Sequence, residues 1–191
     1  MAAKPKSSSK TSKITPERLL DAIAPRIADG RLHSVNLATA ARLANVTLAA
    51  VEACFPERQA LLVALHQRYV KQVLDRVVEE SGRQPAGLPR LRQSITGFLD
   101  ACLEQRNVRL QLLDMEARHL ALGRAAAARR NSFRVMLSLE LKSCGAKHPD
   151  EMASLLRSMV EETSRMEGEA GKAKPAARAL LWSFLESQLP R

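Results

Sequence analysis

Apolar residues recur at helical spacing along nearly the whole chain, and no stretch alternates apolar with polar residues between turn signals. This periodicity predicts an all-α fold. Thr15, Pro16 and Glu17 supply an N-cap, a first-turn proline and a first-turn acid, which predicts a helix to about Asp29 that Gly30 ends. Pro25, inside that helix, lacks an amide donor and clashes with the preceding turn, so a kink or an early end is expected there. Asn36 caps a second helix to about Leu43 and Thr47 a third to about Cys54, while Pro56 and Glu57 open a long fourth to about Glu80. Residues 81–87 hold two glycines and a proline and form the clearest boundary. Beyond them, apolar stripes predict helices over about Leu88 to Cys102, Val108 to Arg118 and Leu120 to Leu141, with Gly123 a candidate break. Two more follow, one carrying Met152 to Thr163 and one carrying Ala177, Leu181, Phe184 and Leu185, separated by Gly168 to Pro175, for about nine helices in all.

At 191 residues, with 46% hydrophobic and 26% charged residues, the chain has room for one helical domain or a small module fused to a larger one, and its composition excludes wholesale disorder. Cys54, Cys102 and Cys144 are odd in number and far apart, which suits reduced thiols in the cytoplasm rather than a disulfide framework, and no clustered zinc ligands occur. No apolar run is long enough to span a membrane, and the start of the chain has no signal-peptide core; no membrane association is expected. The net charge is +10, of which Lys4, Lys6, Lys10 and Lys13 supply four without any acid nearby. Residues 1–14 therefore read as a disordered basic arm, either a solubilising tail or a contact for an anionic partner such as DNA. Aromatic residues make up only 3%, too few for the stacking platforms that hold single strands, so duplex DNA is the nucleic acid to expect. No nucleophile elbow, phosphate loop or zinc-protease pair is present, and the adjacent acids Glu79-Glu80, Asp150-Glu151 and Glu161-Glu162 diverge on a helix; no enzyme, metal or cofactor is predicted.

The segment from Asn36 to Phe55 is the most informative. A short alanine-rich helix, the turn Ala44-Asn45-Val46 and a short helix capped by Thr47 form a helix-turn-helix pattern. Ala40, Ala41 and Ala44 permit the close crossing such helices need, and Leu37, Leu43, Val46 and Val51 can pin them to the first helix. Asn45 tolerates the left-handed conformation a tight turn requires. The same pattern occurs at ordinary helical corners, so taken alone it leaves both readings open.

In its order of features, the block from residue 15 to 66 resembles the DNA-binding domain of tetracycline-repressor (TetR-type) transcriptional regulators. Gly30 ends the first helix, Ala40-Ala41 is the small pair, Ala44-Asn45-Val46-Thr47 the turn, Leu48 to Ala53 the recognition helix, and Phe55, Arg58, Leu61 and Leu62 open the connector. The resemblance implies a three-helix DNA-binding domain over residues 15–56, joined by a connector helix to a ligand-binding and dimerisation domain, together spanning residues 57–191. It further implies a homodimer on a pseudo-palindromic operator, acting as a repressor that a small molecule releases. Lys13, Asn36, Thr39, Arg42, Thr47, Leu48, Ala49, Ala50, Glu52, Ala53 and Arg58 are the candidate DNA contacts. Three positions depart from the family pattern: Asn45 replaces the turn glycine, Arg58 a lysine and Glu52 a phosphate-contacting tyrosine. An acid at Glu52 opposes phosphate unless it accepts from a cytosine amino group or pairs with Arg58 or a lysine. Leu48, Ala49, Ala50 and Ala53 can only touch thymine methyl groups, which leaves a second reading: a degenerate relative that serves as a ligand-binding or protein-interaction module.

For the second lobe, Phe98, Cys102, Leu112, Met115, Phe133, Met136 and Leu137 are candidate cavity residues, with His119 or Asn131 as polar contacts; the same apolar positions also suit plain core packing. His66 reads as a hydrogen-bonded interior residue and His33 as a candidate phosphate contact. The last two helices carry apolar residues on more than one face, which suggests that Leu155, Met159, Leu181, Trp182 and Leu185 pack against a second copy.

Overall fold

The computed structural model describes residues 14–190, so Lys13 and the rest of the basic arm lie outside the described residues. Among these are nine α-helices and no strand: α1 (Pro16–Ala28), α2 (Leu37–Ala44), α3 (Leu48–Cys54), α4 (Arg58–Ser81), α5 (Leu88–Glu104), α6 (Arg106–Arg118), α7 (Leu120–Ser143), α8 (Pro149–Ala170) and α9 (Pro175–Gln188). A 3-10 turn, Leu32–Ser34, which the periodicity does not foretell, sits between α1 and α2. No single helix is long and apolar enough to cross a membrane.

At three positions where proline or glycine could end a helix, the helix continues. α1 runs past Pro25 to Ala28, and because Pro25 and Asp21 are both exposed, water can replace the lost backbone bond. α7 continues through Gly123, whose place is explained by crowding: a Cβ there would stand 3.1 Å from the Glu116 carbonyl oxygen at the end of α6. α8 likewise includes Gly168, which is buried against Leu110, and stops only at Gly171 in the left-handed region, φ 66°.

One hydrophobic cluster runs through the molecule from Leu19 on α1 to Leu185 on α9. Along α4, Leu61, Leu62, Leu65, Tyr69, Val73 and Val77 turn one stripe into that core. α5 packs closely on α4 at Gly97, where a side chain would strike the Glu80 carboxylate at 2.9 Å. The far end is held by charge. Glu167 of α8 has no exposed surface, yet it accepts from Arg178 Nε at 2.7 Å, Arg178 Nη2 at 2.8 Å and the Lys174 amide at 2.8 Å. Arg178 also reaches Asp100 of α5 at 2.8 Å, so a single guanidinium ties α9 to both α8 and α5. Burial pushes the Glu167 carboxyl up, but the Arg178 and Lys174 hydrogen bonds outweigh it and hold the group below the usual carboxylate range.

Candidate nucleic-acid interface and effector chamber

Local hydrogen bonds fix the corner between α2 and α3. Asn36 Oδ1 accepts from the Thr39 amide at 2.8 Å and Thr47 Oγ1 from the Ala50 amide at 3.2 Å, so each helix has a side-chain N-cap. Between them Asn45 adopts φ 53°, ψ 48°, while its amide donates to Arg42 O and the Val46 amide to Ala41 O. This paired pattern is a Schellman ending, which closes α2 and reverses the chain with an asparagine where glycine is the usual residue. The two helix axes meet at 112°, within the range of helix-turn-helix motifs. Ala40, Ala41 and Val51 are buried at the crossing.

The outer face of α3 presents Leu48, 44% exposed, with Ala49, Glu52 and Ala53; Ala50 is half-buried. Arg42 on α2 is exposed, as are Thr47 and Asn36, both occupied as caps, while Thr39 is half-buried and donates to the Ser34 carbonyl at 3.4 Å. Arg58, an expected phosphate contact, is engaged by its own chain. Its Nε donates to Val35 O at 2.9 Å and its Nη2 to His33 O at 3.2 Å, so the guanidinium braces the backbone entering α2. Among the described residues Arg58 is thus paired with backbone rather than with Glu52, whose carboxylate stands on the exposed face of α3.

The helix-turn-helix is wired to α6. Gln111 Oε1 accepts the Leu32 amide at 2.7 Å, Asn107 Nδ2 donates to Ala28 O at 3.4 Å, and His33 Nε2 lies 3.4 Å from Asp114. α6 thus touches the end of α1 and the middle of the segment that links α1 to α2. His33, expected near phosphate, spends its ring on this link.

A chamber lies between α4, α5, α7 and α8. This cavity holds about 310 Å³, and its apolar wall is Tyr69, Val73, Phe98, Phe133 and Met136, the two phenyl rings stacked at 5.3 Å. Of the expected cavity residues, Phe98, Phe133 and Met136 come together here. Cys102, Leu112, Met115 and Leu137 are nearly fully buried in the core and do not line it, and His119 caps α7 elsewhere. The periodicity gave no hint of Tyr69 or of the polar residues Arg129, Arg130 and Glu161 in the same wall. An adjoining cleft shares those three and adds Arg109 and Arg157.

Charge in this region is tightly allocated. Glu116 accepts from His66 at 3.1 Å and Arg130 at 3.3 Å, and Glu161 pairs with Arg157 at 2.8 Å. Burial pushes the Glu116 carboxyl up, but the His66 hydrogen bond and the Arg129 charge prevail and hold it below its ordinary value. Burial, followed by the Arg109 charge, pulls the Arg129 guanidinium below the usual arginine range.

On the last two helices, Leu155 is 57% exposed and Leu180 is 66% exposed. Leu181 and Leu185, expected at a dimer interface, are 1% and 0% exposed within one chain and offer a second copy no surface. Met159 is half-buried, and Trp182 lies under the Arg92 guanidinium, 5.6 Å from the ring centre.

No family model and no curated protein sequence matches the chain. Solved structures do. SCO4454, a TetR-family transcriptional regulator from Streptomyces coelicolor, superposes with a TM-score of 0.70 at 17% identity, over 90% of this chain and 94% of that one. A TetR-like transcriptional regulator from Rhodococcus sp. RHA1 gives 0.67 at 17% identity, over 88% and 92%. A protein of Saccharomonospora viridis described as a transcriptional regulator, in complex with choline, gives 0.69 at 18% identity, over 92% and 98%. The all-α architecture described above is therefore the TetR-type fold, from its N-terminal helix-turn-helix to its C-terminal helical lobe.

Proposed function

We propose that the protein is a DNA-binding transcriptional regulator, in which residues 15–56 read duplex DNA and residues 57–191 bind a small effector and join two copies. The observation that carries this reading is the corner of α2 and α3, crossed at 112° and capped at both helices, with α3 presented to solvent at the head of a TetR-type fold. In a dimer, two copies of α3 one DNA turn apart meet a pseudo-palindrome. The exposed Leu155 and Leu180 belong to the surface that pairs the copies. Choline in complex with the Saccharomonospora viridis protein supports a small-molecule site, and α6, which supplies Arg109 to the adjoining cleft and contacts Leu32 and Ala28, offers a route from that cleft to the head. Effector binding that favours another spacing of the heads would release the operator, the behaviour of a repressor.

Selection of random duplex DNA by the full-length protein, with affinity followed across a salt series, tests the reading. A pseudo-palindrome bound at nanomolar affinity, with a slope reporting several phosphates, is expected. Weak binding without sequence preference refutes it, and light scattering that finds only monomer refutes the dimer. Glu52 and the apolar face of α3 favour the second reading, a relative that has lost DNA affinity and retains the effector lobe. Glu52→Gln separates the two: a true reader gains roughly fivefold in operator affinity at low salt from losing one unfavourable charge near phosphate.

A further inference from the structure

The chamber has charges left over. Arg109 is 2% exposed, and neither it nor Arg129 forms an ion pair among the described residues; the Nε of each is buried without a hydrogen-bond partner. The nearby carboxylates are already engaged, Glu116 by His66 and Arg130, Glu161 by Arg157, and Glu162, in the wall of the cleft, by Arg165. Two like charges thus share a poorly solvated region, and their mutual repulsion is felt at Arg129. A protein interior seldom keeps unpartnered guanidinium nitrogens, because each forgoes its hydration with nothing in return. Arg129 stands in the walls of both the apolar chamber and the adjoining cleft, and Arg109 in the wall of the cleft, so the unmatched charge lies where the apolar lining ends.

We propose that the effector is a small organic anion, its apolar body against Tyr69, Val73, Phe98 and Phe133 and its carboxylate or phosphate head on Arg129 and Arg109. The arginine fork suits both head groups, since each offers paired oxygens to parallel N–H donors. Tyr69 remains a neutral phenol because burial, and then Cys102, hold its ionisation well above the ordinary range; its hydroxyl already donates to Cys102 Sγ at 3.6 Å. The wall against the ligand body is therefore uncharged. At about 310 Å³ the chamber is at the small end of ligand cavities, which selects a body of one ring or a short chain. This inference names the ligand class of the effector site in the proposed function and rests on that reading.

Isothermal titration calorimetry of the full-length protein tests it with octanoate, phenylacetate and octyl phosphate, against octanamide and octylammonium as neutral and cationic controls. At least one anion is expected to bind with a Kd of about 100 µM or tighter, about tenfold or more tighter than octanamide, with octylammonium weakest. Carboxylate and phosphate probes differ in head group only, so their ranking says which source of anion the site takes. Arg129→Met and Arg109→Met should each weaken the anion about tenfold and leave octanamide unchanged, in proteins whose melting temperatures are no lower than the parent's. Controls that bind as well as the anions overturn the proposal, as does the absence of any anion binding below about 1 mM. So do two folded variants that bind anion like the parent. An anion that binds as stated without changing affinity for a selected duplex leaves the ligand class standing and counts against the regulatory reading. A selected operator with no anion binding does the reverse.

Discussion

Two groups of buried charge lie within one lobe and behave oppositely. At the α8–α9 junction, Glu167 and Arg178 match charge with charge and saturate each carboxylate oxygen with N–H donors. Between α6 and α7, Arg109 and Arg129 confront each other with their Nε atoms unpartnered. Burial costs both groups their hydration; only the first recovers it from protein. The junction is consequently a structural staple, whereas the arginine pair is stability held in reserve until an anion arrives.

The largest effect expected from this contrast is at the staple. Glu167→Gln removes the charge facing a mostly buried Arg178 and should cost about 3 kcal/mol, because Asp100 still attends the guanidinium. For a chain of this size that lowers the melting temperature by about 6–12 °C. The pH dependence has a definite sign. The Glu167 carboxyl is held below its ordinary value in the fold, so its contribution is complete above the unfolded carboxyl range of about 4 to 4.5 and disappears as pH falls through the folded value. Parent and Glu167→Gln melting temperatures, well separated at neutral pH, should therefore converge in acid. A gap that does not narrow at all as the pH falls below the unfolded carboxyl range would mean that packing, rather than charge, fastens α9.

Much of this molecule can be read in its sequence, and what can be read is local. The caps at Asn36 and Thr47 and the turn at Asn45 act over three to five residues, so the head's geometry lies within one short segment. The charge groups differ because Glu167 meets Arg178 of another helix, and Arg109 meets Arg129 from the next helix along. Faint signals existed. Glu167 falls on the stripe of Val160 and Thr163, and Arg109 on that of Leu112, so each places a charge where the helix turns inward. The stripe on α9 marked Leu181 and Leu185 as buried but could not say that their own chain covers them. Likewise Phe98, Phe133 and Met136 were recognisable as cavity residues, but the arginines beside them depend on how three helices are packed.

An intermediate effect of opposite sign is expected at the unmatched pair. Arg109→Met keeps most of the side-chain length, relieves the repulsion on Arg129 and returns no unpaired donor to the interior. The ligand-free protein should gain about 1–2 kcal/mol, which raises the melting temperature by about 2–8 °C. Adding octanoate should then stabilise the parent more than the variant, since only the parent still has both guanidiniums to neutralise. A variant less stable than the parent without ligand would show that Arg109 contributes to the fold through its attraction to Glu116, and the distinction between the two groups would fail.

The smallest effect calibrates the other two. Lys71 and Asp75 form an ion pair one turn apart on α4 at 2.5 Å, close in geometry to the staple's contacts, with their side chains 74% and 62% exposed. Water already solvates both groups, and the order Lys before Asp is the less favourable one along a helix dipole. Asp75→Ala should therefore change stability by no more than about 0.3–0.5 kcal/mol, and salt should erase even that. The comparison depends on this near-zero. If an exposed pair of such length contributed as much as Glu167, contact distance would explain the staple, and desolvation would lose its place as the reason why the matched and unmatched charges of one lobe act in opposite directions.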